Sequence, residues 1–217
     1  MRCAERVYFP THRFAYLFNA LQIPIFPTYT TYRFQRSRVL QQILLACVGI
    51  PHPATRIYYG SRQKAKIPDA FPFPFVAMGP ILASQRKHLI NTPTALDEYS
   101  RSCNPLIIQE AVEWIERVHI LCIHDDCVGA VRQGGRDPVD SRYEPISLEQ
   151  LERRSLLEPT RDFIRKVHLD DIVIEWAYGS GQWQLLEMRR PPVQWPMAEG
   201  TLNRHQYLCK LVESGRL

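Results

Sequence analysis

The chain has 217 residues, of which 45% are hydrophobic and 23% charged, with 27 basic and 22 acidic side chains. This composition is typical of a globular protein of one or two domains, and it excludes a disordered chain or a disulfide-stapled miniprotein. The basic residues are dispersed among acids and prolines, so they predict a solvated surface rather than a nucleic-acid-binding tract.

The first half of the chain predicts short helices and strands. An amphipathic helix is predicted from about His12 to Leu21, and a second one ends at Gly49 and Pro51 after apolar residues at helical spacing. The next predicted elements are strands in "ATRIYYG" and "FPFVAM", a strand at about residues 88–90, a threonine-capped helix in "TPTALDEYSRSC" and a buried strand in "PLIIQEAV".

The second half predicts two β-hairpins. Residues 117–133 form two β-rich halves around Asp125 and Asp126, which indicates a two-residue turn. Residues 134–159 are polar, with one helical piece at "SLEQLERRSLL". A second hairpin is predicted in "DDIVIEWAYGSGQWQLLEM", and "LNRHQYLCKLVESG" is a closing amphipathic helix.

The longest uncharged apolar stretch, at residues 43–51, is far shorter than a membrane span, and the N-terminus carries charges where a secretory signal would be apolar. The sequence therefore predicts a cytoplasmic protein. Its six cysteines are scattered and lie mostly in apolar segments, which predicts reduced thiols packed as small hydrophobic side chains.

Two carboxylates of the second hairpin form a candidate metal site. If Gly179–Gly181 is a three-residue loop, Glu175 and Glu187 share one face as diagonal neighbours, roughly 7 to 8 Å apart. Such a pair can hold one or two Mg²⁺ ions and bind phosphate through the metal. The alternative is two solvent-facing acids. A shift of one residue in the loop would put the two carboxylates on opposite faces.

The order of the segments resembles the ATP-grasp superfamily, closest to its RimK-like, glutamate-ligase-like branch, over about residues 26–188. The likeness implies an α+β fold in which two subdomains with antiparallel sheets enclose a cleft for ATP and Mg²⁺. It also implies a carboxylate-amine ligase that acts through an acylphosphate on a small carboxylate or peptide. The segments that carry it are "GIPHPATRIYYG", "FPFVAM", "LIIQEAVEWIERVHILCIHDDCVGAVRQ" and "IEWAYGSGQWQLLEM".

The resemblance divides the chain into three parts. Residues 1–35 would be a remnant of an α/β N-terminal domain, residues 36–105 the N-terminal grasp subdomain, and residues 106–217 the C-terminal grasp subdomain with the closing helix. Because so few residues precede the grasp, we expect a chain that is truncated or diverged at its N-terminus.

The resemblance also implies roles for particular residues. Arg117 would orient the substrate or ribose side, and Arg132 would neutralise charge near the phosphates and the reacting carboxylate. Glu175 and Glu187 would be the metal ligands. The hinge beside adenine and the ribose would comprise Gln109, Glu110, Ala111, Val112, Glu113 and Glu116.

Three departures from the family pattern support a second hypothesis, a catalytically degenerate grasp fold that serves as a binding or scaffolding module. Met78 stands where the family has a phosphate-binding lysine, and that loss costs about 1.5 to 3 kcal/mol. The next loop, "ILASQRKHL", has no glycine, so we expect Arg86 and Lys87 to reach the phosphates instead. Arg189 replaces an asparagine of the metal shell and is expected to pair with Glu187.

Other sites are excluded by their geometry or by missing motifs. With the turn at Asp125 and Asp126, His119 points away from Cys122 and His124, which excludes a closed zinc site. The sequence has no Walker loop, no Rossmann glycine motif and no serine-nucleophile motif. Nonspecific nucleic-acid binding through the basic excess is a third, weaker hypothesis.

Overall fold

The computed structural model describes residues 5–82, 87–134, 143–197 and 199–217. The chain forms two compact units: unit 1 comprises Met1–Gln35, Glu116–Trp176 and Met188–Leu217, and unit 2 comprises Arg36–Ile115 and Ala177–Glu187. The predicted domain boundaries stay a prediction. Within the described ranges, no helix combines the length and the apolar character needed to cross a membrane.

The described chain mixes short helices with strands, several of which follow one another directly. The strands are β1 (Val7–Tyr8), β2 (Ile25–Phe26), β3 (Thr55–Tyr58), β4 (Phe75–Met78), β5 (Lys87–Ile90), β6 (Leu106–Glu110), β7 (Glu116–Ile123), β8 (Asp126–Gln133), β9 (Tyr143–Ile146), β10 (Asp171–Gly179), β11 (Gln182–Arg189), β12 (Gln194–Met197) and β13 (Gly200–Asn203). The helices are α1 (His12–Ala20), α2 (Tyr29–Phe34), α3 (Arg38–Val48), α4 (Gly60–Lys64), α5 (Ile67–Ala70), α6 (Pro93–Ser102), α7 (Leu148–Arg153), α8 (Leu157–Val167) and α9 (Arg204–Glu213).

Unit 2 is built on an antiparallel sheet with the strand order β3-β6-β4-β5. Its core includes Phe75, Leu106 and Ile108, which are fully buried. The predicted caps are confirmed: the Thr92 side chain accepts a hydrogen bond from the amide of the third residue of α6, and α3 ends at Gly49 in the left-handed region. Glycine adopts that conformation without steric cost.

Helix α3 forms where its apolar spacing predicts it, but the side that it buries is largely polar. Arg38, Gln41, Gln42 and Leu45 are buried, whereas Ile43 is 49% exposed. Periodicity therefore predicts the helix and not its orientation, because the interior of this unit contains acceptors for the Arg38 guanidinium.

In unit 1, strands β7 and β8 form the first predicted hairpin and β9 pairs with β8. These strands belong to a sheet with the order β11-β10-β7-β8-β9. Ile123 pairs with Asp126, so the turn is His124–Asp125, one residue earlier than predicted, and a bulge follows Leu121. His124 has a φ of 60°. The prediction missed this turn because it favoured two aspartates over a histidine in the left-handed region.

The helical piece predicted at "SLEQLERRSLL" is confirmed as α7, which ends earlier than predicted, and the prediction missed a second helix, α8. Pro159 lies in the first turn of α8, where a proline removes no helical hydrogen bond. The helix buries Leu157, Thr160, Phe163 and Ile164 along one side. A proline that lies among charged residues hid this pattern in the sequence.

Two adjacent carboxylates at the start of β10 are paired with distant parts of unit 1. The Asp170 oxygens accept hydrogen bonds from the Thr28 amide, at 2.9 Å each, and Oδ1 also accepts one from Thr31 Oγ1 at 2.8 Å. Asp171 forms a bidentate ion pair with Arg204, and both side chains are only 2% exposed. These contacts fasten α2 and α9 to the sheet.

We predict that Arg204→Ala destabilises the protein strongly, because it leaves the Asp171 carboxylate buried without a cation. The free energy of unfolding in urea should fall by about 3 to 5 kcal/mol. The double variant Arg204→Met with Asp171→Leu removes both charges and should lose clearly less. Equal losses in the two proteins would contradict this account.

Asp170 should make the stability depend on pH, because burial raises its pKa to about 6, well above the ordinary range of an aspartate. The folded protein therefore binds this proton more tightly than the unfolded chain. The resulting stabilisation is complete below about pH 4 and is lost as the pH rises through 6, an effect of about 3 kcal/mol. Urea unfolding of Asp170→Asn from pH 4 to 7 should lack this decline, and the exposed control Asp162→Asn should keep it. A constant difference between wild type and Asp170→Asn would refute the assignment.

Candidate functional site

In unit 2, the predicted metal ligand Glu187 is paired with two cations. Arg38 donates from Nε to Glu187 Oε1 at 2.9 Å, and Lys87 Nζ lies 3.6 Å from the same oxygen. Arg38 Nη1 also donates to the carbonyl oxygens of Gly79, at 3.2 Å, and Ile81, at 3.3 Å. The Arg38 side chain is 6% exposed and that of Glu187 is 12% exposed. A buried guanidinium therefore occupies the position beside this carboxylate.

Lys87 lies directly opposite Met78 in the β4–β5 pair. Opposite residues of antiparallel strands leave the same face of the sheet, with Cβ atoms about 4.5 to 5.5 Å apart. Met78 is buried and cannot contact phosphate, whereas Lys87 is 31% exposed. A cation is thus available one strand away from the position where the sequence lacks one. Arg86, the other predicted phosphate contact, lies outside the described residues.

The predicted hinge residues differ in what their side chains do. Gln109 donates to Thr55 Oγ1 at 3.1 Å, and Glu110 Oε1 accepts a hydrogen bond from the Ala54 amide at 2.9 Å. Both side chains hold β6 against the segment around β3. Beyond Glu110 the chain leaves the sheet. The next three residues, Ala111, Val112 and Glu113, are exposed or partly exposed in the structure.

Gly179 packs directly against this hinge. A Cβ atom at Gly179 would lie 2.8 Å from the Glu113 carbonyl oxygen, 2.9 Å from the Trp114 ring and 3.2 Å from Val112 Cγ1. Two of these distances are shorter than any normal carbon contact. The tip of the second hairpin therefore requires glycine in order to approach the hinge backbone.

In unit 1, Glu175 and His119 form a buried polar group with two arginines. Glu175 Oε1 lies 3.7 Å from Arg117 Nη1, and Oε2 lies 3.9 Å from His119 Nδ1. Arg189 Nη2 donates to His119 Nδ1 at 2.9 Å, and His119 Nε2 is 3.2 Å from Gln133 Oε1.

Arg189 therefore has His119 as its partner, where the sequence had suggested Glu187. A guanidinium can only donate, so Nδ1 of His119 is the acceptor and its Nε2–H donates to Gln133. Burial lowers the pKa of His119, and the nearby arginines add to this effect against the opposing charge of Glu175. His119 is consequently neutral near pH 7. The sequence did not predict that His119 would link Arg189 and Gln133.

Two further predicted residues are held by ion pairs. Arg132 faces Glu144 in the β8–β9 pair and donates to its carboxylate, which raises the pKa of Arg132. Glu116 Oε1 accepts hydrogen bonds from Arg154 Nε at 3.1 Å and Nη2 at 2.9 Å. The roles assigned to Arg132 and Glu116 stay predictions.

The count that placed Glu175 and Glu187 on one face used a three-residue loop, and that loop length is wrong. Gly179 is the last residue of β10 and Gln182 the first of β11. The loop is Ser180–Gly181, with φ angles of 52° and 81°, as in a type I′ turn. Counting along the strands therefore no longer supports a shared metal site.

Within the described residues, neither unit taken by itself could hold Mg²⁺ through a cluster of three protein ligands. Mg²⁺ takes oxygen ligands in near-octahedral geometry. In the described parts of the chain, no group of three or more His, Cys, Asp or Glu side chains could hold a metal. Of the residues weighed for zinc, Cys122 is buried with its sulfur 3.9 Å from that of Cys127, and exposed His124 pairs with Asp125.

We predict that Gly179→Ala displaces the hinge, because its methyl group would overlap the Glu113 carbonyl and the Trp114 ring. Overpacking of this kind costs about 1 to 3 kcal/mol. Amide hydrogen exchange should accelerate at residues 112–115. Gly181→Ala is the matched control: its methyl group meets open space at a φ of 81°, so it should lower stability without altering exchange in the hinge. Unchanged hinge exchange in Gly179→Ala would refute the contact.

No protein-family model matches the chain, and no curated protein matches it. Solved structures do. The RimK domain protein ATP-grasp from Sphaerobacter thermophilus DSM 20745 superposes with a TM-score of 0.67 at 14% identity, over 82% of this chain. The synthetase purK, as its ADP complex, gives 0.68 at 11% identity over 83% of this chain. D-alanine–D-alanine ligase from Bacillus anthracis, complexed with ATP, gives 0.65 at 12% identity over 82%.

The matched region is a part of these proteins. The chain covers 68% of the Sphaerobacter protein, 51% of purK and 63% of the Bacillus ligase. At such low identities the similarity concerns the fold alone.

Proposed function

Because the chain has an ATP-grasp fold, as the sequence predicted, we propose that it binds ATP and ligates a carboxylate to an amine. Two of the similar proteins are a synthetase complexed with ADP and a ligase complexed with ATP. Within this chain, the observation that carries the proposal is the position of Lys87. It faces Met78 across the sheet and so offers a cation where the family's phosphate-binding lysine is missing.

The proposed reaction needs charge neutralisation more than covalent catalysis. ATP would supply the phosphoryl group that activates the carboxylate as an acylphosphate, from which the amine displaces phosphate. In unit 2, Lys87 and Arg38 would bind phosphate oxygens. In unit 1, Arg132 would neutralise charge near the reacting carboxylate, and Arg117 would orient the substrate or ribose side. Exposed Glu113 is the candidate for the ribose hydroxyls.

A second candidate function is a binding module without catalysis. The observation that favours it is the pairing of the predicted catalytic and metal-binding side chains with other residues. Glu187 is held by Arg38 and Arg132 by Glu144. In this alternative the nucleotide or another ligand would bind without being consumed.

We predict that Lys87→Gln weakens ATP binding about ten- to hundredfold, the equivalent of one charge-assisted hydrogen bond to phosphate. Isothermal titration with ATP in millimolar Mg²⁺ would measure the change. Lys66→Gln, which removes an exposed lysine of the same unit, is the matched control and should bind as the wild type does. Equal affinities of the wild type and Lys87→Gln would refute the role of Lys87.

Catalysis is tested separately by the release of ADP over a panel of amino acids and peptides offered as carboxylates and amines. The ligase predicts ADP and phosphate release that depends on both substrates. ATP binding without ADP release across the panel would favour the binding module. No change in melting temperature at millimolar MgATP would refute both forms of the nucleotide proposal.

A further inference from the structure

We infer that Arg38 and Lys87 take the place of a divalent metal beside Glu187, so that this protein binds ATP without needing Mg²⁺. The inference rests on the proposed ATP binding. It concerns unit 2 alone, where the two cations and the carboxylate all lie.

Burial and hydrogen bonds fix the position of the Arg38 side chain. It is almost fully buried, and its guanidinium donates to Glu187 Oε1 and to the carbonyls of Gly79 and Ile81. Three acceptors on different parts of unit 2 fix its position. A buried guanidinium of this kind stays charged and cannot leave to make room for an ion.

A metal ion at this carboxylate would meet strong repulsion. An ion bound to Glu187 Oε1 would lie within a few ångströms of both Arg38 and Lys87, in a mostly buried place where charges are poorly screened. Neither cation can act as a metal ligand. Oε1 already accepts a hydrogen bond at 2.9 Å, so an ion would have to share this oxygen with the guanidinium.

The same two cations suit phosphate. Arginine and lysine bind phosphate oxygens through charge-assisted hydrogen bonds, and lysine does so as a compact point charge. Lys87 is partly exposed, and its ammonium group has three donors, of which the 3.6 Å contact with Glu187 uses at most one. Charge neutralisation that a metal usually supplies would therefore come from the chain itself.

The test compares ATP binding by isothermal titration in EDTA and in 5-fold excess Mg²⁺, at equal ionic strength. We expect dissociation constants within about twofold of each other. Binding at least tenfold tighter with Mg²⁺ would overturn the inference and leave the proposed function standing. Absence of ATP binding in both conditions would instead overturn the proposed function, and the inference with it.

Glu187→Gln gives a second, independent result, because it keeps the shape of the side chain and removes its charge. It frees Arg38 and Lys87 from their counter-ion, so ATP binding in EDTA should become several-fold tighter. If Glu187 is a metal ligand, the same variant should bind ATP more weakly in Mg²⁺. Glu98→Gln, at an exposed position on α6, is the matched control and should behave as the wild type does.

Circular dichroism will show whether Glu187→Gln folds. If it does not, Mn²⁺ titration of the wild type by electron paramagnetic resonance decides the same point. We expect no Mn²⁺ bound to the protein without ATP, and stoichiometric binding would overturn the inference.

Discussion

Burial of charge is the constraint on which the rest of unit 1 depends. Asp170 and Asp171 stand side by side at the start of β10, and burying either one without partners would cost several kcal/mol. Their partners come from opposite ends of the chain: Thr28 and Thr31 precede the sheet, and Arg204 opens the last helix. Specific hydrogen bonds therefore join residues 28–31 to the rest of unit 1, whereas the parallel pairing of β1 with β2 joins two strands within residues 5–35.

Unit 2 also buries a charge, but this charge is positive. Its buried charge is the Arg38 guanidinium, and the acceptors are one carboxylate and two backbone carbonyls. This explains why α3 turns a polar side inward and leaves Ile43 in solvent. The element that carries the charge is thus oriented by electrostatics, while the sheet behind it is held together by an ordinary apolar core around Phe75 and Leu106.

Local patterns in the sequence predict much of this architecture. Helices α1, α3 and α6 and both hairpins follow from apolar spacing, a threonine cap and glycine-rich turns, because those signals act over a few residues. The position of the first hairpin turn and the length of the second hairpin loop were each predicted wrongly by one residue. Both depend on backbone conformation, since His124 and Ser180 adopt positive φ. The partners of charged residues could not be predicted: Arg38 and Glu187 are 149 positions apart. The fold class could be predicted from the sequence, whereas the partners of the charged side chains in the candidate site could not.

The opposition of Met78 and Lys87 has a consequence for how such proteins are recognised. A family profile scores each column of an alignment separately, so a lysine that has moved to the neighbouring strand is counted as one loss and one irrelevant gain. In three dimensions the two side chains leave the same face of the sheet, so a cation can lie near the same place although its position in the sequence differs. This chain matches no family model, whereas its backbone superposes on solved structures at 12 and 14% identity. The positions of charges in space therefore carry information that the columns of an alignment do not hold.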